Sequence, residues 1–145
     1  MKFSIITTSK DSASTIENTI YSVICQSYKN IEYIIIDGAS TDDTLPIIEK
    51  YKDKITKVIS EPDNGIYDAM NKGIDAATGD YLFFLNSDDT LLHSNVIQLA
   101  AKQIATNQKE LYYGDLAYLD KNSGQLNIRK HNKLNKIYLI KNTAP

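Results

Sequence analysis

The apolar run Tyr81-Leu82-Phe83-Phe84-Leu85 leads directly into Asn86-Ser87-Asp88-Asp89, so two adjacent carboxylates stand at the end of an expected buried strand. In an open α/β sheet that edge is where ligands bind. Adjacent carboxylates make each other harder to ionise unless a cation sits between them. Such oxygen ligands suit Mg2+ or Mn2+, ions that take few protein carboxylates and complete their shell with water and phosphate. The chemistry first indicated is therefore a divalent ion bridging Asp88 and Asp89 to a phosphate.

Three further apolar runs also end in polar residues: Thr7-Thr8-Ser9, Asp37-Gly38-Ala39-Ser40 and Glu61-Pro62-Asp63-Asn64-Gly65. In a parallel sheet one edge collects all four, and a ligand site needs several polar groups aimed at one crevice. Each motif also has a plainer reading. Asp88-Asp89 could be a solvated turn, and Asp37 a turn acid before a capped helix. Asn71 and Lys72 lie near the same edge, where a diphosphate contact competes with a solvated helix face. Cys25 reads as a small helix residue near the core, not a nucleophile, because no His accompanies it. His93 and His131 lack metal-ligand spacing.

The elements that must position these groups follow from hydrophobic patterning. Residues 3–8, 32–37, 57–61 and 81–86 are short continuous apolar runs, the pattern of strands buried on both faces. Between them lie helical patterns. Ser14-Thr15-Ile16-Glu17 reads as a capping box, followed by Ile16, Ile20, Val23, Ile24 and Ser27 on one stripe. Ser40-Thr41-Asp42-Asp43 opens a second helix with Leu45, Ile48 and Tyr51 facing the sheet. A third spans about residues 65–77 with Ile66, Met70, Ile74 and Ala77 inward and Gly79 as its stop. Ser94 is the expected cap of a fourth, carrying Ile97, Ala100, Ala101 and Ile104. Strand and helix alternate four times, which predicts an α/β fold with a mostly parallel, doubly wound sheet. Residues 111–119 and 126–129 then read as a hairpin closed by a polar turn with Gly124.

With 145 residues and 42% hydrophobic content, the chain can bury one core. Ten of its sixteen Lys/Arg and all eighteen Asp/Glu fall within residues 1–120, while residues 121–145 hold six Lys/Arg and no acid. An acidic body argues against general nucleic-acid binding, which needs a basic face. The basic tail suits pyrophosphate or the anionic headgroups of a membrane surface. One cysteine permits no internal disulfide, and no apolar run approaches the roughly 20 residues of a membrane span. A cytoplasmic protein, with peripheral membrane contact open to it, is expected.

Phe3-Ser4-Ile5-Ile6-Thr7-Thr8, the run from Ser22 to Tyr28, Glu32 to Asp42, and Asn86-Ser87-Asp88-Asp89 together resemble the family 2 glycosyltransferases. The run from Glu61 to Gly73 resembles a branch associated with bacterial surface polysaccharides. The resemblance implies a GT-A fold, a nucleotide-diphosphate sugar donor such as a UDP-sugar, a saccharide or lipid-linked acceptor, Mg2+ or Mn2+, and inversion at the anomeric carbon. By the same resemblance Thr8 and Asp37 line the nucleoside pocket, Asp88 approaches the ribose or the metal, and Asp89 ligates the metal. Asn86 stands where many members carry a further acid. Asp115 could face the acceptor or make a strand-end hydrogen bond.

The family's base follows the hairpin, and no match precedes Pro145. Residues 1–145 are accordingly expected to form one incomplete donor-binding domain, with 1–107 as its α/β part, 108–145 opening the acceptor side, and the catalytic base beyond Pro145. Two other functions compete with an enzyme. One is a non-catalytic nucleotide-sugar-binding or scaffolding module; the other is a nucleotidyltransferase, disfavoured because no Gly-rich phosphate loop follows the first strand.

Overall fold

A computed structural model of the chain describes residues 1–107, 116–120 and 123–129. Its centre is a four-stranded parallel sheet of β1 (Phe3–Ser9), β2 (Ile31–Asp37), β3 (Lys57–Ser60) and β4 (Tyr81–Phe84), in the order β3-β2-β1-β4. The helices are α1 (Ile16–Ile24), α2 (Thr44–Glu49), α3 (Ile66–Ala76) and α4 (Val96–Asn107). Strand alternation divides the core in two. Phe3, Ile5, Tyr33 and Ile35 pack with Ile16 and Ile20 of α1, Ile48 of α2 and Ile97 and Ile104 of α4. Ile6, Ile34, Ile36 and Leu82 point the other way, against Ala69 and Ile74 of α3. The doubly wound α/β arrangement expected from the strand–helix alternation is the one found.

Burial on both faces holds for β1 and β2 but not for β3. Among the described residues this strand lies at the sheet edge with only β2 beside it, and Val58 remains 39% exposed. The expected stripe of α3 holds at Ile74 and Ala77, which pack with the second core, and shifts at its start. Its buried residues are Ala69 and Gly73, while Ile66 is exposed, because the helix lies close on the sheet. A Cβ on Gly73 would stand 2.4 Å from Ile6 Cγ2. Gly79 does not stop the helix, which ends at Ala76 with Ala77 extended. Its Cβ would instead fall 2.7 Å from the Ser4 amide nitrogen, so the residue permits a close backbone approach.

Of the three expected caps, those of α1 and α4 give way to other contacts, while Asp42 serves the start of α2. The capping box of α1 is absent, since Thr15 takes the cap position with no side-chain bond to the helix, its amide and hydroxyl donating to Ser12 O at 3.0 and 3.4 Å. Glu17 accepts instead from the Tyr51 hydroxyl at 2.9 Å. At α2, Asp42 receives the Thr44 amide at 3.0 Å and the Ala13 amide at 3.0 Å. At α4, the Ile97 amide donates to Gln26 Oε1 at 3.1 Å, and Ser94 contributes a carbonyl to the Ser27 amide at 2.7 Å. Cys25 stands at the C-terminal cap of α1 and is exposed, not near the core.

The N-terminal edge of the sheet is closed by a buried carboxylate. Glu32 receives Lys2 Nζ at 2.8 Å, Ser4 Oγ at 2.5 Å and the Thr78 amide and hydroxyl at 2.8 and 2.7 Å. Burial opposes its ionisation, yet these donors outweigh burial and bring its pKa down to about 2.

The expected hairpin is present as β5 (Leu116–Leu119) and β6 (Leu126–Arg129), antiparallel and forming a sheet of their own. Gly124, at φ 67°, donates its amide to Asp120 O at 2.8 Å within the turn. Residues 111–115, Asp115 among them, His131 and the basic run beyond it lie outside the described residues. Among the described residues, no helix is long and apolar enough to cross a membrane.

Candidate functional site

The strand order reverses between β1 and β4, since the chain leaves β1 toward β2 and returns to β4 on its other side. That point opens a crevice at the C-terminal edge, here about 680 Å³ in volume. Thr8 through Ser12 form one wall, Asn86, Ser87 and Asp88 another, and Asp63, Gly65, Ile66 and Ala69 the third. The two walls at the switch point are tied together. Thr8 Oγ1 donates to Asn86 Oδ1 at 3.3 Å, the Ser87 amide donates to Thr8 O at 3.2 Å, and the Ser12 and Ser87 hydroxyls lie 2.8 Å apart.

Asp88 lies in the crevice wall and Asp89 beside it in the same turn, closed by the Asp89 amide on Asn86 O at 3.0 Å. Burial, and after it the charge of Asp88, push the Asp89 carboxyl above its ordinary value. A divalent cation would relieve that repulsion. Among the described residues no group of three or more His, Cys, Asp or Glu is gathered to hold a metal. Two carboxylates are nevertheless enough for Mg2+-like chemistry when phosphate and water supply the remaining oxygens. A closed zinc-type shell is not what these residues form.

The other candidate residues stand outside the crevice. Asp37 is fully buried and does not reach it. Its carboxylate accepts the Ser40 amide at 2.9 Å, the Ser40 hydroxyl at 2.5 Å and the Ser60 hydroxyl at 2.8 Å. Through Ser40, which receives the Asp11 amide at 2.8 Å, Asp37 braces the wall from behind. Asn71 is exposed on α3. The Lys72 ammonium is engaged by Glu61 at 2.9 Å, Asp68 at 3.7 Å and Pro62 O at 2.8 Å.

Asp63, within the polar run expected after β3, lies in the wall, and three further wall residues carry no signal that the sequence offered: Lys10, Asp11 and Ser12. Lys10 Nζ donates to the Gly38 carbonyl and, at 3.4 Å, to Ala39 O. Asp11 Oδ1 receives the Thr41 amide at 2.8 Å. These contacts latch the loop after β1 onto the loop after β2. Asp11 and Ala39 both take positive φ, 46° and 56°, a conformation that L residues adopt at a cost. Beside them Gly38 lets the Asp63 carboxylate approach, since a Cβ there would stand 2.4 Å from Asp63 Oδ2 and the Asp63 side chain would have to turn away. Only the position of Lys10 and Asp11, directly after a strand end, could have marked them.

The sequence matches the family model described as Glycosyl transferase family 2 over residues 4–144. It is 34% identical over 118 residues to the PGL/p-HBAD biosynthesis glycosyltransferase of Mycobacterium bovis, covering 79% of this chain and 46% of that protein. It is 40% identical over 89 residues to the putative teichuronic acid biosynthesis glycosyltransferase TuaG of Bacillus subtilis, covering 59% of this chain and 35% of that one. Among solved structures, S. aureus TarS 1-349 in complex with UDP-GlcNAc superposes with a TM-score of 0.72 at 28% identity, over 77% of this chain and 33% of that one. The chain thus spans less than half the length of the curated relatives it matches.

Proposed function

The chain belongs to glycosyl transferase family 2 and has its GT-A fold, and from that premise we propose that its crevice binds a nucleotide-diphosphate sugar, most simply a UDP-sugar, for inverting transfer to an acceptor hydroxyl. The observation that carries this reading is the meeting of Thr8 with Asn86 and Asp88 at the β1/β4 switch point. Support comes from the fold shared with TarS, whose structure holds UDP-GlcNAc. The acceptor is proposed to be a saccharide or lipid-linked glycan of the cell surface, in keeping with the relatives of PGL/p-HBAD and teichuronic acid biosynthesis. Donor use then belongs to the cytoplasm.

In the proposed roles, Thr8 borders the nucleoside, Asp88 faces the ribose or the metal, and Asp89 holds Mg2+ or Mn2+. Asp37 supports the wall without touching the donor, and neither Asn71 nor Lys72 contacts it. When bound, the metal would neutralise charge on the departing diphosphate. The acceptor oxygen bonds to the anomeric carbon, the sugar–phosphate bond breaks, and a carboxylate base accepts the hydroxyl proton. That base is proposed to come from the part of the family's length beyond Pro145. Residues 1–145 then form the donor half of the catalytic unit.

Titration calorimetry of the chain with UDP and Mn2+ tests the reading. Saturable, Mn2+-dependent binding that Asp89→Ala abolishes is expected. Absence of binding, or binding unaffected by Asp89→Ala, would remove the assignment.

A further inference from the structure

We propose that Thr19 is the positioning residue of the acidic turn, fixing from α1 the backbone that aims Asp88 and Asp89. The inference rests on the donor-binding reading above. Thr19 is fully buried. Its hydroxyl lies 2.9 Å from Ser87 O and 2.8 Å from Asp89 O, the carbonyls on either side of Asp88. A single O–H shared between two carbonyls is a three-centre bond, and it fixes both peptide planes at once.

Thr19 is the first of a stripe. One turn later Ser22 Oγ accepts the Leu91 amide at 3.1 Å and donates to Thr19 O at 2.8 Å. One turn beyond, Gln26 donates to His93 O at 2.8 Å and accepts from the Ile97 amide at 3.1 Å. Thr19 and Ser22, at i and i+3, share one face of α1, and Gln26, two residues past its end, continues the line. Opposite them, residues 85–95 form no helix or strand, so their amides and carbonyls need partners from elsewhere. The face of α1 and Gln26 just beyond it supply them in register, from the acidic turn down to the start of α4. Deleting the Thr19 hydroxyl frees the peptide planes next to Asp88 and Asp89, and rotation of either re-aims a carboxylate. Misplacement of about 1 Å in such a constellation costs on the order of a hundredfold in function.

The test compares Thr19→Val, which keeps the shape and loses the hydroxyl, with Thr19→Ser, which keeps the donor. Ser4→Ala is the control, breaking an equally buried hydroxyl contact at the opposite end of the sheet. Mn2+-dependent UDP affinity is read by calorimetry, and backbone order by amide hydrogen exchange at Asp89 and Leu91. Thr19→Val is expected to weaken affinity by about tenfold or more, through misplacement of the carboxylates, and to speed exchange at both amides while β1 and β2 stay protected. Thr19→Ser and Ser4→Ala are expected to bind as the wild type does.

Wild-type affinity in Thr19→Val, or an equal loss in Ser4→Ala, would overturn the proposal. If Thr19→Val does not fold, Thr19→Cys, close in size and a weaker donor, takes its place under the same criteria. Should the wild type bind no Mn2+ and UDP, the donor-binding reading falls, and the exchange rates alone then decide whether Thr19 orders the turn.

Discussion

Burial and the charge of Asp88 both oppose ionisation of Asp89, so the residue is a liability to the empty fold and an asset once a cation arrives. Asp89→Asn is expected to melt at or slightly above the wild type without metal, and to lose the rise in melting temperature that Mn2+ with UDP produces. Thermal shift assays with and without the ion separate the two effects. Ala39, at φ 56°, is a second such site. Ala39→Gly is expected to stabilise the chain by about 1 kcal/mol, measurable by urea unfolding, because glycine adopts that conformation freely. Sequence could name Asp88, since its neighbour and its strand end are both local signals. It could not show that Asp37 turns inward, because the Ser40 and Ser60 hydroxyls that satisfy it meet only in the folded chain.

Helices were legible in sequence where burial is apolar and illegible where it is polar. Ile16, Ile20 and Val23 mark the core face of α1 by spacing alone. Thr19 and Gln26 are equally enclosed, yet nothing local distinguishes a polar residue facing a loop from one facing water. The Ser94 cap of α4 failed for the same reason, since Gln26 serves that helix from 71 residues away. For α3 the apolar stripe was right at Ile74 and Ala77 but misled at Ile66, because close packing selects small residues over large ones. Gly73→Ala is expected to destabilise the chain by about 1–2 kcal/mol, as the clash with the buried Ile6 methyl exceeds the gain of about 1 kcal/mol in helix propensity. Denaturant unfolding measures it, and a net stabilisation would show that α3 can lift from the sheet without cost.

At the scale of the molecule, pH acts mainly through Glu32. Its pKa falls from 4.5, the ordinary value of a glutamate side chain in water, to about 2 in the fold. A depressed carboxyl contributes stability that is present above the unfolded value and is lost as pH falls through the folded one. The chain is therefore expected to weaken progressively between about pH 4.5 and 2, by about 1–2 kcal/mol once solvent screening at the partly exposed Lys2 is allowed for. Glu32→Gln should be less stable at pH 7 and show a flatter acid limb in unfolding monitored by circular dichroism. The order of strands and helices was readable from patterning because a parallel sheet demands buried strands. The edge position of β3 was not, since no pattern within residues 57–60 records how many neighbours a strand will have.

The closure of the sheet at Glu32 has a consequence for how such a chain can change over time. Glu32 ties the strands together at one end, and the loops after Thr8, Pro62 and Asn86 emerge from the other. Variation in those loops can retune what is held without loosening what holds it. Relatives can diverge in their cargo while inheriting the same foundation, and grafting a relative's residues 62–66 onto this chain should leave its melting temperature nearly unchanged.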